Sequence, residues 1–165
     1  MKRTSFVVAV LAAAVAAAAV AAVSFAAGGS QSATGITLHL VEKDQAFHYV
    51  DNPPVSTPQE HFASQGDVFV FTANLFTQGG KRAGTLNAYC VVTQGGNPET
   101  STCTGTFGLA GGQLAAMASM RGEGGTSKIA VVGGTGAYEG AKGSAVSISK
   151  PNGNTSRDTI HLILP

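Results

Sequence analysis

Cys90 and Cys103, the only cysteines in the chain, sit symmetrically about the turn-forming cluster Gly95-Gly96-Asn97-Pro98, with their midpoint at Gly96-Asn97. A hairpin folded about that centre places Val92 opposite Ser101 and Gln94 opposite Glu99. It also sets the two cysteines directly across from each other, at about 4.5 to 5.5 Å between Cα atoms. A disulfide fits that separation. Closing so short a loop stabilises a fold by roughly 3 kcal/mol, less any strain the cross-strand geometry imposes.

Around the hairpin, strict alternation sorts side chains into two faces. Phe69, Phe71, Ala73 and Leu75 share one face of the strand before it, and Leu86, Ala88, Cys90 and Val92 share one face of its first arm. In the second arm Thr102, Thr104 and Thr106 alternate with Cys103, Gly105, Phe107 and Leu109, so the cysteine face is the apolar, inward one. The disulfide therefore borders whatever the sheet encloses.

The start of the chain has a different character. Lys2 and Arg3 precede an unbroken, alanine-dominated apolar run from Phe6 to Val23, and Ser24-Phe25-Ala26 supplies small residues for cleavage. This pattern predicts a signal peptide over 1–26 and a secreted or extracytoplasmic protein. The alternative is retention of the apolar segment as a membrane anchor, but alanine is weakly apolar and no basic stop-transfer cluster follows. Removing the leader leaves roughly 139 residues, enough for one domain with a real core. That divides into a flexible 27–35 and a domain over 36–165. Ten basic residues balance nine acidic ones and are scattered, so neither nucleic acid nor an anionic membrane surface is indicated. Export agrees with paired cysteines. Two cysteines without histidines at ligand spacing make no metal site.

In chain order the alternation predicts strands at Ile36–Glu42 (with Ala46–Val50 as a possible continuation), Asp67–Thr77, Arg82–Gln94, Ser101–Ala110, Gln113–Glu123, Ser127–Val132, Gly143–Lys150 and Ser156–Leu164. Asp51–Gly66 holds three prolines and no apolar period, and reads as a crossing loop at one end of the sheet. Gly, Pro or Asn marks every other break. Leu114–Met120 could imitate a helical turn, but its glycine flanks favour a strand. An all-β, eight-stranded antiparallel up-and-down β-barrel is the expected fold. Such a barrel is either filled by side chains or just wide enough for one small ligand.

Ile129-Ala130-Val131-Val132-Gly133-Gly134-Thr135-Gly136 imitates a strand entering a dinucleotide-binding turn. That use needs a helix after the glycines and a parallel sheet beyond, and Tyr138-Glu139-Gly140-Ala141-Lys142-Gly143 breaks any helix. Gly133, Gly134, Gly136, Gly140 and Gly143 instead shape a connection between strands, with Tyr138 packing across it.

Three ordered segments carry a family resemblance: Gly66-Asp67-Val68-Phe69-Val70-Phe71-Thr72-Ala73-Asn74-Leu75-Phe76; Lys81-Arg82-Ala83-Gly84 leading to Tyr89-Cys90-Val91-Val92; and Gly133 to Gly143. Together they resemble the allene oxide cyclase and dirigent barrel superfamily, its secreted bacterial members above all. The resemblance implies the same eight-stranded barrel, a homotrimer, and no cofactor. The family's cyclases close a fatty-acid epoxide into a ring, and its dirigent members steer the coupling of phenolic radicals. Cys90 matches the cyclases' cysteine, and their first-strand glutamate and the polar residue two places on correspond to Glu42 and Asp44. Their water-holding asparagine has its nearest counterpart in Asn74, one place late, and a shift of one residue moves a side chain to the opposite face.

Among polar residues, Glu42 and Asp44 share a face of an extended strand. They form either a solvated strand end, the plainer reading, or carboxylates at a barrel mouth whose pKa is raised by apolar walls. His39, His48, His61 and His161 form no constellation. The expectation is an apolar small-molecule ligand bound between Phe69, Phe71, Ala73, Leu86, Cys90 and Phe107, with Glu42 as acid or base and Asp44 or Asn74 orienting it. A binder without chemistry and a cell-surface interaction module are the alternatives. Val68, Val70 and Phe76 face outward and predict self-association.

Overall fold

The computed structural model describes residues 34–52, 63–122, 125–151 and 154–165, and the side chain of Asp44 also falls outside the description. The expected signal peptide, most of the expected flexible 27–35 and the centre of the crossing loop lie outside the described residues.

The strands are β1 (Thr34–Val50), β2 (Val68–Thr77), β3 (Arg82–Gln94), β4 (Thr100–Leu109), β5 (Gly112–Arg121), β6 (Thr126–Gly134), β7 (Lys142–Ser149) and β8 (Ser156–Leu164). They form a closed barrel in sequence order, each strand antiparallel to its neighbours. Closure comes from β1 against β8, where Leu38 pairs with Ile160 and Leu40 with Asp158. Closure gives every strand a neighbour on both sides, although the β5/β6 ladder is short, pairing only Leu114–Met117 of β5 with β6.

Four features depart from the sequence reading. Thr34 and Gly35 pair with Leu164 and Ile163, so β1 begins inside the segment expected to be flexible. The two pieces expected at Ile36–Glu42 and Ala46–Val50 are one strand, interrupted by a bulge between Lys43 and Ala46. In the hairpin Val92 pairs with Ser101 as expected, but Gln94 pairs with Thr100 rather than Glu99. There Thr93 is the extra residue of a bulge, and its hydroxyl donates to the Thr100 carbonyl at 3.1 Å. Finally, Gly133 and Gly134 end β6, paired with Ala115 and Leu114, instead of opening the connection.

That connection runs through a one-turn 3-10 helix, Gly136–Tyr138, to β7. Gly136 has a φ of 62°, a conformation that favours glycine. At Gly143 a Cβ would overlap the His161 carbonyl of β8, so only glycine allows the strands to close there. Gly133, by contrast, faces open space.

Alternation then fills one end of the barrel. Leu40, Leu75, Leu86, Phe107, Leu114, Val131, Ile160 and Leu162 point inward from seven strands and form one buried cluster with Ala73, Ala116, Ala141 and Ala145. Tyr138 packs against it from the 3-10 turn. The outer apolar face is narrower than expected. Val70 is 41 % exposed and pairs with exposed Tyr89, but Lys43 and Arg82 stack over the Phe76 ring at 5.2 and 5.9 Å.

Candidate functional site

The other end of the barrel is hollow. A cavity of about 320 Å³ opens there, floored by Leu86, Phe107 and Ala116 and walled by Phe69, Phe71, Ala88 and the two cysteines. Small inward residues create the space: Ser101 and Gly105 on β4, Ala118 on β5, Ser127 on β6, Ser147 and Ser149 on β7, and Ser156 on β8 all line it. Phe47 pairs with Phe71 and Tyr49 with Phe69 across the β1/β2 ladder. The Phe47 and Tyr49 rings lie 5.6 and 5.1 Å from that of Phe69, building an aromatic rim on one side. Phe47 is 64 % exposed there.

Cys90 and Cys103 are opposed in the ladder with Cα atoms 3.9 Å apart and are joined by a disulfide. It forms part of the wall, with the Met120 sulfur 3.3 Å from the Cys103 sulfur. A disulfide carries no S–H, so this is a sulfur contact and not a hydrogen bond. Cys90 is consequently no free thiol.

The cavity contains one buried acid pair. Glu42 lies on the inward face of β1, lines the cavity and is only 6 % exposed, which removes the reading of a solvated strand end. Its backbone pairs with Ser156, and that of Leu40, two residues earlier, pairs with Asp158. The two carboxyls are thus diagonal neighbours on adjoining strands. Asp158 is 2 % exposed, and neither of its oxygens accepts a formed hydrogen bond. Two ionised carboxylates have no donor to offer each other; a proton on Glu42 provides one. Burial, then the charge of the neighbouring Asp158, push Glu42 up to about 9, against a weaker downward pull from Gln45, whose amide donates to Glu42 at 3.1 Å. Burial raises Asp158 as well, opposed by the polar groups of Glu42 and of Ser147, which lies directly opposite it on β7. At neutral pH the pair therefore retains at least one proton.

A second carboxylate works at the rim in the opposite sense. Asp67, fully buried just before β2, accepts from the Tyr49 hydroxyl, the Asn52 amide at 2.9 Å, the Ser64 amide at 2.7 Å and the Ser64 hydroxyl at 3.1 Å. Burial alone would raise its pKa, but these donors outweigh it and hold the carboxyl below the usual range. Asp67 ties the end of β1 to the start of β2.

Of the residues singled out from sequence, Glu42, Phe69, Phe71, Leu86, Cys90 and Phe107 surround the cavity. Ala73 does not; it is buried in the filled end. Asn74 lies between inward Ala73 and Leu75 and so takes the outer face, away from the cavity. For Asp44 the backbone belongs to β1, but the bulge beginning at Lys43 ends the two-residue rule, and Gln45 and Phe47 follow Glu42 along the cavity. His39 and His161 are exposed beside Thr159 and Thr37 on the outer face, His48 is exposed, and His61 lies outside the described residues. No group of three potential metal ligands occurs among the described residues.

Sequence reasoning missed Asp158, Gln45 and the serines. Asp158 was legible: Ser156, Asp158, Ile160 and Leu162 alternate on one face, an acid in an otherwise apolar register.

No family model and no curated protein matches the chain. Solved structures do. A pyocyanin demethylase superposes with a TM-score of 0.65 at 22 % identity, covering 77 % of this chain and 99 % of that one. A pterocarpan synthase dirigent protein gives 0.64 at 18 % identity over 82 % and 88 % of the two chains. A Diels-Alderase from Streptomyces koyangensis gives 0.59 at 15 % identity over 82 % and 71 %. The chain has the barrel fold of the dirigent proteins and cyclases, in line with the resemblance carried by its sequence motifs.

Proposed function

We propose that this is an exported barrel that binds one largely apolar small molecule in the hollow end and steers its cyclisation, isomerisation or coupling without a cofactor. The observation that carries the reading is Glu42: a buried carboxyl facing a cavity of about 320 Å³ walled mainly by apolar and small residues. The similar barrels named above include a dirigent protein and a Diels-Alderase, a likeness that supports steering over mere storage.

In the proposed mechanism the walls contribute most by confining a flexible molecule to one folded shape, which needs few chemical groups. Phe69, Phe71, Leu86 and Phe107 set that shape. Protonated Glu42 donates a hydrogen bond to a ligand oxygen or nitrogen where negative charge develops. If the proton is transferred, Asp158 beside Glu42 disfavours the ionised carboxylate and drives recovery of a proton from the product-forming intermediate. Atoms and charge are then conserved over the cycle.

Native mass spectrometry of the exported chain, after exposure to a metabolite extract, is expected to retain one organic molecule per barrel. Glu42→Gln keeps the shape and removes proton transfer, so reduced yield or altered stereochemistry is expected; an unchanged product would reduce the protein to a passive guide or binder. The disulfide and the leader support export, which sequencing of the mature N-terminus checks, with cleavage near Ala26 expected and a start at Met1 favouring the anchor. The exposed Val70 and Tyr89 support self-association, with the trimer taken from the family resemblance. Sedimentation of a clean monomer at micromolar concentration would end that part.

A further inference from the structure

The cavity has a charge character that its apolar walls conceal. Three carboxyls border or underlie it: Glu42 and Glu99 in the lining and Asp158 one position deeper on β8. Among the described residues no lysine, arginine or histidine lines it. Asp158 is buried with both oxygens unpartnered, so the site carries unmet acceptor capacity and no internal counter-ion. Such a group is costly unless something that enters the cavity satisfies it.

Resting on the reading that the cavity holds a ligand, we propose that its ligand is a compact, mainly apolar molecule carrying a basic nitrogen, an amine or protonated heterocycle, and that carboxylates are excluded. The nitrogen sits against Glu42, above Asp158, and donates to the acceptor positions that a single shared proton leaves open. The Phe47, Phe69 and Phe71 faces beside the opening attract a cation on its way in, and the serines of β4, β6, β7 and β8 offer hydroxyls to any remaining polar edge. A fatty-acid anion of the kind taken by the family's cyclases would instead place a third negative charge beside two acids with no cation to offset it.

Isothermal titration calorimetry of the mature, disulfide-bonded chain at pH 7 with three ligands of one skeleton tests this: 1-naphthylmethylamine, 1-naphthylmethanol and 1-naphthoate. The amine is expected to bind at least about tenfold tighter than the alcohol, with the carboxylate weakest. In the near-isosteric double variant Glu42→Gln/Asp158→Asn the amine and alcohol should converge to within about twofold. Naphthoate binding as well as the amine, or an amine preference that survives the double variant, overturns the proposal and leaves the cavity as a binding site. Failure of all three to bind overturns that underlying reading too. The ranking in the unaltered protein decides even if the double variant does not fold.

Discussion

The two ends of the barrel share one backbone pattern and differ only in what alternation sends inward. At the filled end Leu40, Leu75, Leu114, Ile160 and Leu162 meet, with Tyr138 and Ala141 packed on from the connection. At the hollow end the same strands send Ser101, Gly105, Ser127, Ser147, Ser149 and Ser156, together with Glu42 and Asp158. Tight packing and open space are therefore separated along the barrel axis. One end provides the dispersion and desolvation that hold the fold. The other gives up packing, and buries two acids, in exchange for a site.

The sharpest way to break the contrast is to empty the filled end. Leu75→Ala is expected to lower unfolding free energy by about 2 to 5 kcal/mol in a denaturant titration, while Ser127→Ala, at the hollow end, stays within about 0.5 kcal/mol. Equal effects would mean that both ends are packed alike. Next in size is the disulfide. Cys90→Ser/Cys103→Ser should cost roughly 3 kcal/mol, and its rescue by reoxidation cannot occur, so reducing agent should leave the variant's transition midpoint unmoved.

Asp67 comes third. Asp67→Ala strands the Tyr49 hydroxyl and the Asn52 and Ser64 amides, at a cost of about 1 to 3 kcal/mol by thermal unfolding, and hydrogen exchange should quicken at Asn52 and Ser64 before it does in β8. Most diagnostic, because pH alone sets its size, is the acid pair. Glu42 has a folded pKa raised to about 9 from 4.5, so the native state holds a proton that the unfolded chain has released between those values. Its contribution is fully present below about pH 4.5 and is lost as pH rises toward 9, at up to about 1.4 kcal/mol per pH unit. Glu42→Gln should flatten that decline and raise the melting temperature at pH 8. The lowered pKa of Asp67 acts in the opposite direction, withdrawing stability as pH falls through its folded value. A wild-type profile flat from pH 5 to 8 would show that the acid pair is hydrated.

Much of the barrel could be read from alternation and punctuation. The threonine and apolar faces of β4, the opposition of Cys90 and Cys103, and all eight strands follow from residue order, with ends off by one or two positions. The site was harder to read, for two physical reasons. A bulge between Lys43 and Ala46 shifts inward parity within a single strand, so that Gln45 and Phe47 follow Glu42 along the cavity. Such a bulge has no fixed residue signature. The cavity, moreover, is a sum over all the strands: no single serine announces a void, and only barrel closure brings β4, β6, β7 and β8 around one space. Asn74 failed for a simpler reason, since its neighbours Ala73 and Leu75 claim the interior.

The Asp67 clamp has a consequence for how this scaffold can be altered. Asn52 and Ser64 are fastened to the same carboxylate, and the Asn52 side-chain amide also donates to the Gly66 carbonyl at 2.6 Å. The exit from β1 and the entry to β2 are therefore held beside each other by the frame, whatever chain runs between them. Doubling the length of such a span adds only about 0.6 kcal/mol of closure cost. A foreign peptide inserted between Asn52 and Ser64 is accordingly expected to leave the barrel's register intact.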